Sequence, residues 1–83
     1  MEMVTALERA HRAFVPHTPW VVNDERAQVK VLHAGMYRFT AVPSVGLIQY
    51  GLCGIQETEV FYDSHEFYRR LTQVLHYRGG SAE

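Results

Sequence analysis

TEVFYDSHEFYRRLTQVLHYRG, residues 58–79, changes its hydrophobic period partway along. TEVFY at 58–62 reads as a short strand, the last of the chain, and the residues after it repeat at helical spacing. Asp63 or Ser64 can cap the helix. With Asp63 as the cap, Glu66 falls at the third helical position, the arrangement of a capping box. Tyr62 and Phe67 then flank the cap as a hydrophobic staple. Phe67, Leu71, Val74, Leu75 and Arg78 share one side, with the Arg78 stem able to cover the edge of the apolar stripe. Gly79-Gly80 is expected to stop the helix, and residues 81–83 to form a frayed tail beyond a single domain over 1–80.

Working back towards the N-terminus, VGLIQYGLC at 45–53 is another strand, with Gly54–Glu57 as the turn after it. Its inward set is either Val45, Leu47, Gln49, Gly51 and Cys53 or, more convincingly, Ile48, Tyr50 and Leu52. MYRFTAV at 36–42 places Tyr37, Phe39 and Ala41 on one face and Met36, Arg38, Thr40 and Val42 on the other, and Pro43-Ser44 marks a turn. AQVKVLHA at 27–34 is ambiguous. Its valines at period two favour a strand, whereas Asn23 could cap a helix over 24–34 that ends at Gly35. NDER at 23–26 is a turn or a helix start, and PHTPWVVN at 16–23 is extended, with a possible short edge strand. Residues 5–15 read as a first helix, with Thr5 and Glu8 as a capping box, Val4, Leu7, His11 and Phe14 on one face, and Pro16 beyond its end. The expectation is an α+β fold: a small antiparallel sheet of three or four strands with an N-terminal and a C-terminal helix. Two helices could cover one face of such a sheet. An exposed apolar patch on the other face would favour a partner.

Eighty-three residues at 47% hydrophobic and 20% charged suit one folded domain with a thin core; a domain this small buries only about 60–65% of its unfolded surface. Net charge is -1, so there is no global positive field to gather nucleic acid or anionic lipid. The single cysteine, Cys53, cannot form an internal disulfide, which suits a reducing compartment. The N-terminus lacks the long apolar run of a signal peptide, and the stretch around Val45–Ile55 is too short and mixed to span a bilayer. A cytoplasmic protein without membrane partners is the expectation.

Catalytic and metal signatures are weak. His11, His17, His33, His65 and His76 contain no HExxH pattern, and Cys53 has no CxxC companion. His65 and His76, eleven residues apart on one helix, share an azimuth but stand about 16 Å apart along the axis. A mixed site from His11 or His17 with Asp63 or His65 is conceivable, yet boundary histidines are the simpler reading. Cys53 lies in an apolar strand pattern, where a free cysteine acts as a small hydrophobe. Ser44 and Ser64 lack a G-x-S-x-G context. Glu57 and Glu59 read as solvated, and the glycines of VGLIQYGLCG match neither a dinucleotide fingerprint nor a Walker loop. No catalytic residue, metal or cofactor is assigned.

Binding remains. Trp20, five tyrosines, four phenylalanines and seven arginines supply the residue types that dominate interface hot spots. The leading expectation is a small non-enzymatic protein-binding module, an inhibitor, adaptor or accessory subunit. It would bind another protein or itself, for example as a homodimer through helix or sheet edge. Trp20, His65, Tyr68, Arg69, Arg70 and Tyr77 are its expected contact residues, left over once caps and core are accounted for. The alternative is a nucleic-acid-binding module using Arg9, Arg12, Arg69 and Arg70, with Tyr37, Phe39 and Tyr50 stacking on bases. A small metal-dependent or cofactor-free enzyme is the third.

Overall fold

The computed structural model describes the backbone of residues 1–26, 28–52 and 54–81, with side chains as far as His76. Its order is α1 (Met3–Phe14), β1 (Val22–Asp24), β2 (Val29–Ala34), β3 (Tyr37–Val42), a 3-10 turn (Pro43–Val45), β4 (Leu47–Leu52), β5 (Ile55–Val60) and α2 (Ser64–Ser81). The five strands form one antiparallel meander in the order β1-β2-β3-β4-β5. The α+β architecture with a helix at each end is the expected one. The sheet is wider than three or four strands because the short stretch after Trp20 joins it as β1.

Residues 29–34 resolve as strand, and the helix alternative fails at its cap. Asn23 pairs with Lys30 in the β1–β2 ladder and its Oδ1 accepts a hydrogen bond from Lys30 Nζ at 2.6 Å. The Arg26 amide donates to Asp24 Oδ1 at 3.0 Å, so the chain turns here rather than starting a helix.

Register separates the two faces. Leu32, Phe39, Tyr50 and Glu57 are cross-strand partners on one face, flanked by the set Lys30, Ala41, Ile48 and Glu59. Against this face the helices bury Ala6, Leu7, Ala10, Phe67, Leu71, Val74 and Leu75, which form one cluster with Leu32, Tyr37, Phe39, Ala41 and Ile48. The inward set Ile48 and Tyr50 is thus confirmed for β4, whereas Leu52, at the strand's end, is exposed.

Several boundaries move. α1 starts at Met3, not Thr5, with Glu2 at the cap and no side-chain cap bond; the Ala6 amide already bonds the Glu2 carbonyl at 2.9 Å. The earlier start lets Met3 pack on the core. Its buried stripe is Ala6, Leu7 and Ala10, while Val4, His11 and Phe14 are only half-buried. β5 begins at Ile55, because Leu52 and Ile55 already pair across the hairpin, and it ends at Val60 rather than Tyr62. The staple is Phe61, not Tyr62: Phe61 meets Phe67 edge-on at 6.0 Å between centroids, and Tyr62 is 95% exposed. The Asp63 cap holds, with Oδ2 accepting from the Glu66 amide at 3.4 Å. α2 runs through Gly79-Gly80 to Ser81, so the glycines do not stop it. Residues 82 and 83 of the expected tail lie outside the described residues.

Gly46 is obligatory for the entry into α2. Gly46 follows the 3-10 turn at φ +66°, and a Cβ there would lie 2.0 Å from the Phe61 carbonyl oxygen. The close approach is used: the Phe61 amide donates to the Gly46 carbonyl at 2.8 Å, fixing the chain where it leaves β5 for α2.

Candidate functional site: the helix-free face of the sheet

Both helices are spent on one face. The other carries, in register across four strands, Val29, Val42, Leu47 and Val60, with Asp24 at the β1 end of the row. The neighbouring row is Val22, Val31, Thr40, Gln49 and Thr58. Beyond it His33, Arg38, Gly51 and Gln56 make a polar end. The face is therefore graded, apolar beside the 3-10 turn and polar at the opposite end. Val22 and Val60 remain 44% and 48% exposed, and exposed Val45 and Tyr62 extend the apolar border past the strand ends. Thr40, central on this face, keeps its hydroxyl buried without a hydrogen-bond partner.

An ion-paired cluster lies on the helix side, at the β5 edge. Arg70 of α2 donates from Nε to both Glu59 carboxylate oxygens at 3.1 Å and from Nη2 to the Tyr50 hydroxyl at 2.6 Å. Nη1 reaches Gln73 Oε1 at 3.1 Å, and the guanidinium lies 5.5 Å from the Tyr50 ring centroid. The Tyr50 hydroxyl in turn donates its one proton to Glu59, with Glu57 Oε2 at 3.2 Å as a second acceptor. Burial, then the Glu59 carboxylate, push the Tyr50 hydroxyl up to about 12. Burial alone would raise the Glu59 carboxyl; the hydrogen bonds from Arg70 and Tyr50 outweigh it and hold it below its ordinary value. The Glu59 hydrogen bond raises Arg70. A tyrosine neutral to such a pH is no base near neutrality, and Glu59 already has its acceptors occupied. The cluster is suited to clamping α2 onto β5. Glu59 is therefore not simply solvated, and α2 supplies the partner that sequence spacing did not reveal.

The expected contact residues disperse. Trp20 is half-buried, stacked on His11 at 4.5 Å and tilted against Phe39 at 6.4 Å. His11 Nε2 donates to the Thr18 carbonyl at 2.6 Å, so this histidine fastens the segment after α1. Tyr68 packs half-buried on the core, and Arg70 is held in the clamp. Among the described residues of this set, His65 and Arg69 are the exposed ones, one turn apart on α2. The Tyr77 side chain lies outside the described residues. Of the expected basic strip, Arg9, Arg12 and Arg69 are exposed while Arg70 is engaged by Glu59. Tyr37 and Phe39, read as stacking platforms for bases, are buried beneath the helices and cannot serve. The helices took this face because it carries the larger side chains.

Open concavities lie elsewhere: one of about 330 Å³ is lined by Met3, Pro43, Ser44, Val45, Gly46, Phe61 and Tyr62, and one of about 310 Å³ by Phe14, Thr72, Gln73 and His76. A smaller cleft of about 190 Å³ lies among Val4, Glu8, Glu25, Gln28, Lys30 and Pro43. Buried Lys30 borders it, held by Asn23. No group of three His, Cys, Asp or Glu among the described residues could hold a metal ion, and no described helix is long and apolar enough to cross a membrane. Cys53 lies outside the described residues.

Val42, Leu47 and Val60 were the residues that sequence reasoning passed over. The signal was present in the discarded alternation of β4, Val45-Leu47-Gln49, and in Val42 on the reverse of β3. Compared with known protein families, characterised proteins and solved structures, the chain finds no match in any of the three.

Proposed function

We propose that this chain is a small non-enzymatic protein-binding module whose docking surface is the helix-free face of its sheet. The observation that carries the proposal is the row Val29, Val42, Leu47 and Val60, in register on a face that neither helix covers and continued at its border by exposed Val45 and Tyr62. A sheet face solvated for its own sake alternates to polar residues. An apolar row rimmed by Gln49, Thr58, Arg38 and Gln56 has instead the layout of an interaction surface. Tyr62, nearly fully exposed, is the aromatic anchor of that border. This moves the expected contacts from the outside of α2 to the reverse of the sheet.

Photo-crosslinking tests the reading. A photoreactive side chain at Thr58 on the sheet is compared with one at His65 on α2, in an extract of the source cells. Adducts from position 58 that disappear when Leu47→Asp is added support it. Adducts from position 65 alone, or adducts from 58 that persist with Leu47→Asp, refute it.

A further inference from the structure

We infer that the cleft between the N-terminal half of α1 and the β1–β2 loop is a binding site for a small α-amino acid, whose carboxylate goes to Lys30 and whose ammonium goes to Glu8 and Glu25. The cleft lies on the helix side of the sheet, so the inference stands apart from the docking surface on the reverse face.

Lys30 carries the argument. It is 9% exposed, and a buried charge is costly unless a partner compensates it. Among the described residues its ammonium makes one hydrogen bond, at 2.6 Å to the neutral Asn23 Oδ1, and no carboxylate pairs with it. An ammonium has three protons to donate. Two are left for an anionic group entering the cleft that Lys30 lines.

A second, independent observation lies in the same wall. Gln28 holds a left-handed backbone at φ +55°. Positive φ in a hairpin loop ordinarily takes Gly or Asn, and a longer side chain is strained there. What the strain retains is a side-chain amide on the wall of the cleft. Backbone strain of this kind gathers at ligand sites.

The lining selects the ligand. Glu8 and Glu25 are exposed at the mouth, and Lys30 is buried at the floor. The two acids repel a plain anion, and the lysine repels a plain amine. A molecule carrying both charges satisfies both ends. Val4 and Pro43 leave the remaining wall to a short apolar side chain. The volume, about 190 Å³, matches roughly six waters at ~30 Å³ each. That suits a molecule of the size of alanine or valine and excludes a nucleotide. Solvent screens both glutamates, so binding is expected to be weak, in the millimolar range.

The test is a titration of the purified, isotope-labelled chain with glycine, L-alanine and L-valine, followed by its backbone amide shifts. Acetate and methylamine serve as the separate halves. Saturable shifts are expected at Glu8, Glu25, Gln28 and Lys30, with each half binding at least about tenfold more weakly than the best amino acid. Lys30→Met, which keeps the stem and removes the charge, weakens binding at least about tenfold. Gln28→Gly relieves the backbone, so it raises the urea midpoint and yet weakens binding, a combination that a merely structural role does not give. No saturable shift with any of the three amino acids, acetate binding as tightly as alanine, or an affinity unchanged in both variants overturns the inference.

Discussion

Thr40 and Gly46 show how much single residues decide in this fold. The Thr40 hydroxyl is buried with nothing to bond, so it carries a desolvation cost that no contact repays. Thr40→Val keeps the shape and removes the polar atom. We expect it to stabilise the isolated chain by about 1 kcal/mol, read as a higher urea midpoint at unchanged m-value; a loss of stability would show that the hydroxyl has a partner after all. Gly46 is the opposite case. Gly46→Ala must accommodate a left-handed backbone and a Cβ 2.0 Å from the Phe61 oxygen. The expected loss is about 2 kcal/mol or more, and Gly46→Asn, which tolerates the backbone angle but not the contact, should rescue little of it. Tyr50 can be followed directly. Because its hydroxyl is raised to about 12, the Tyr50 phenol should ionise late in an ultraviolet pH titration, and Tyr50→Phe should reduce the late step by one phenol. The linked stability is complete below the ordinary tyrosine value of 10.0 and is lost as pH rises towards about 12.

At the scale of elements, α2 and β5 are joined by Arg70 and Glu59, side chains 35% and 31% exposed. Solvent screening limits such a pair, so Arg70→Met and Glu59→Gln should each cost about 1 kcal/mol, with a smaller coupling term in the double-mutant cycle. Glu59 sits below its ordinary carboxyl value, so its contribution is complete above pH 4.5 and is lost as pH falls through the lower folded value. Thermal unfolding in the acid range should accordingly fall less steeply with pH in Glu59→Gln. The clamp also explains what could be read in the sequence. The Asp63 cap and the stripe Phe67, Leu71, Val74 and Leu75 were legible because capping and helical period are local rules. The Arg70–Glu59 contact spans eleven residues and depends on where the helix lands. The staple went to Tyr62 instead of Phe61 for a similar reason: the strand ends at Val60, two residues sooner than the apolar run. Likewise the alternation in β3 and β4 gave two faces but could not say which the helices would choose. The bulkier set, Phe39, Tyr37 and Ile48, won it.

For the whole molecule, the consequence of that choice is the reverse of the sheet. A chain of 83 residues has two helices to cover a five-stranded sheet, and both are used on one side. The remaining side keeps an aliphatic row that was passed over in the sequence because its members are small and scattered over four strands. The central claim is that this face is the one that engages a partner. Its most direct test is to record the backbone amide spectrum of the labelled chain in an extract of the source cells, with and without Leu47→Asp. Shifts are expected to concentrate at Val29, Thr40, Val42, Leu47, Thr58 and Val60, with α2 silent at His65 and Arg69. Shifts clustered on His65 and Arg69, or sheet-face shifts that persist with Leu47→Asp, would contradict the claim.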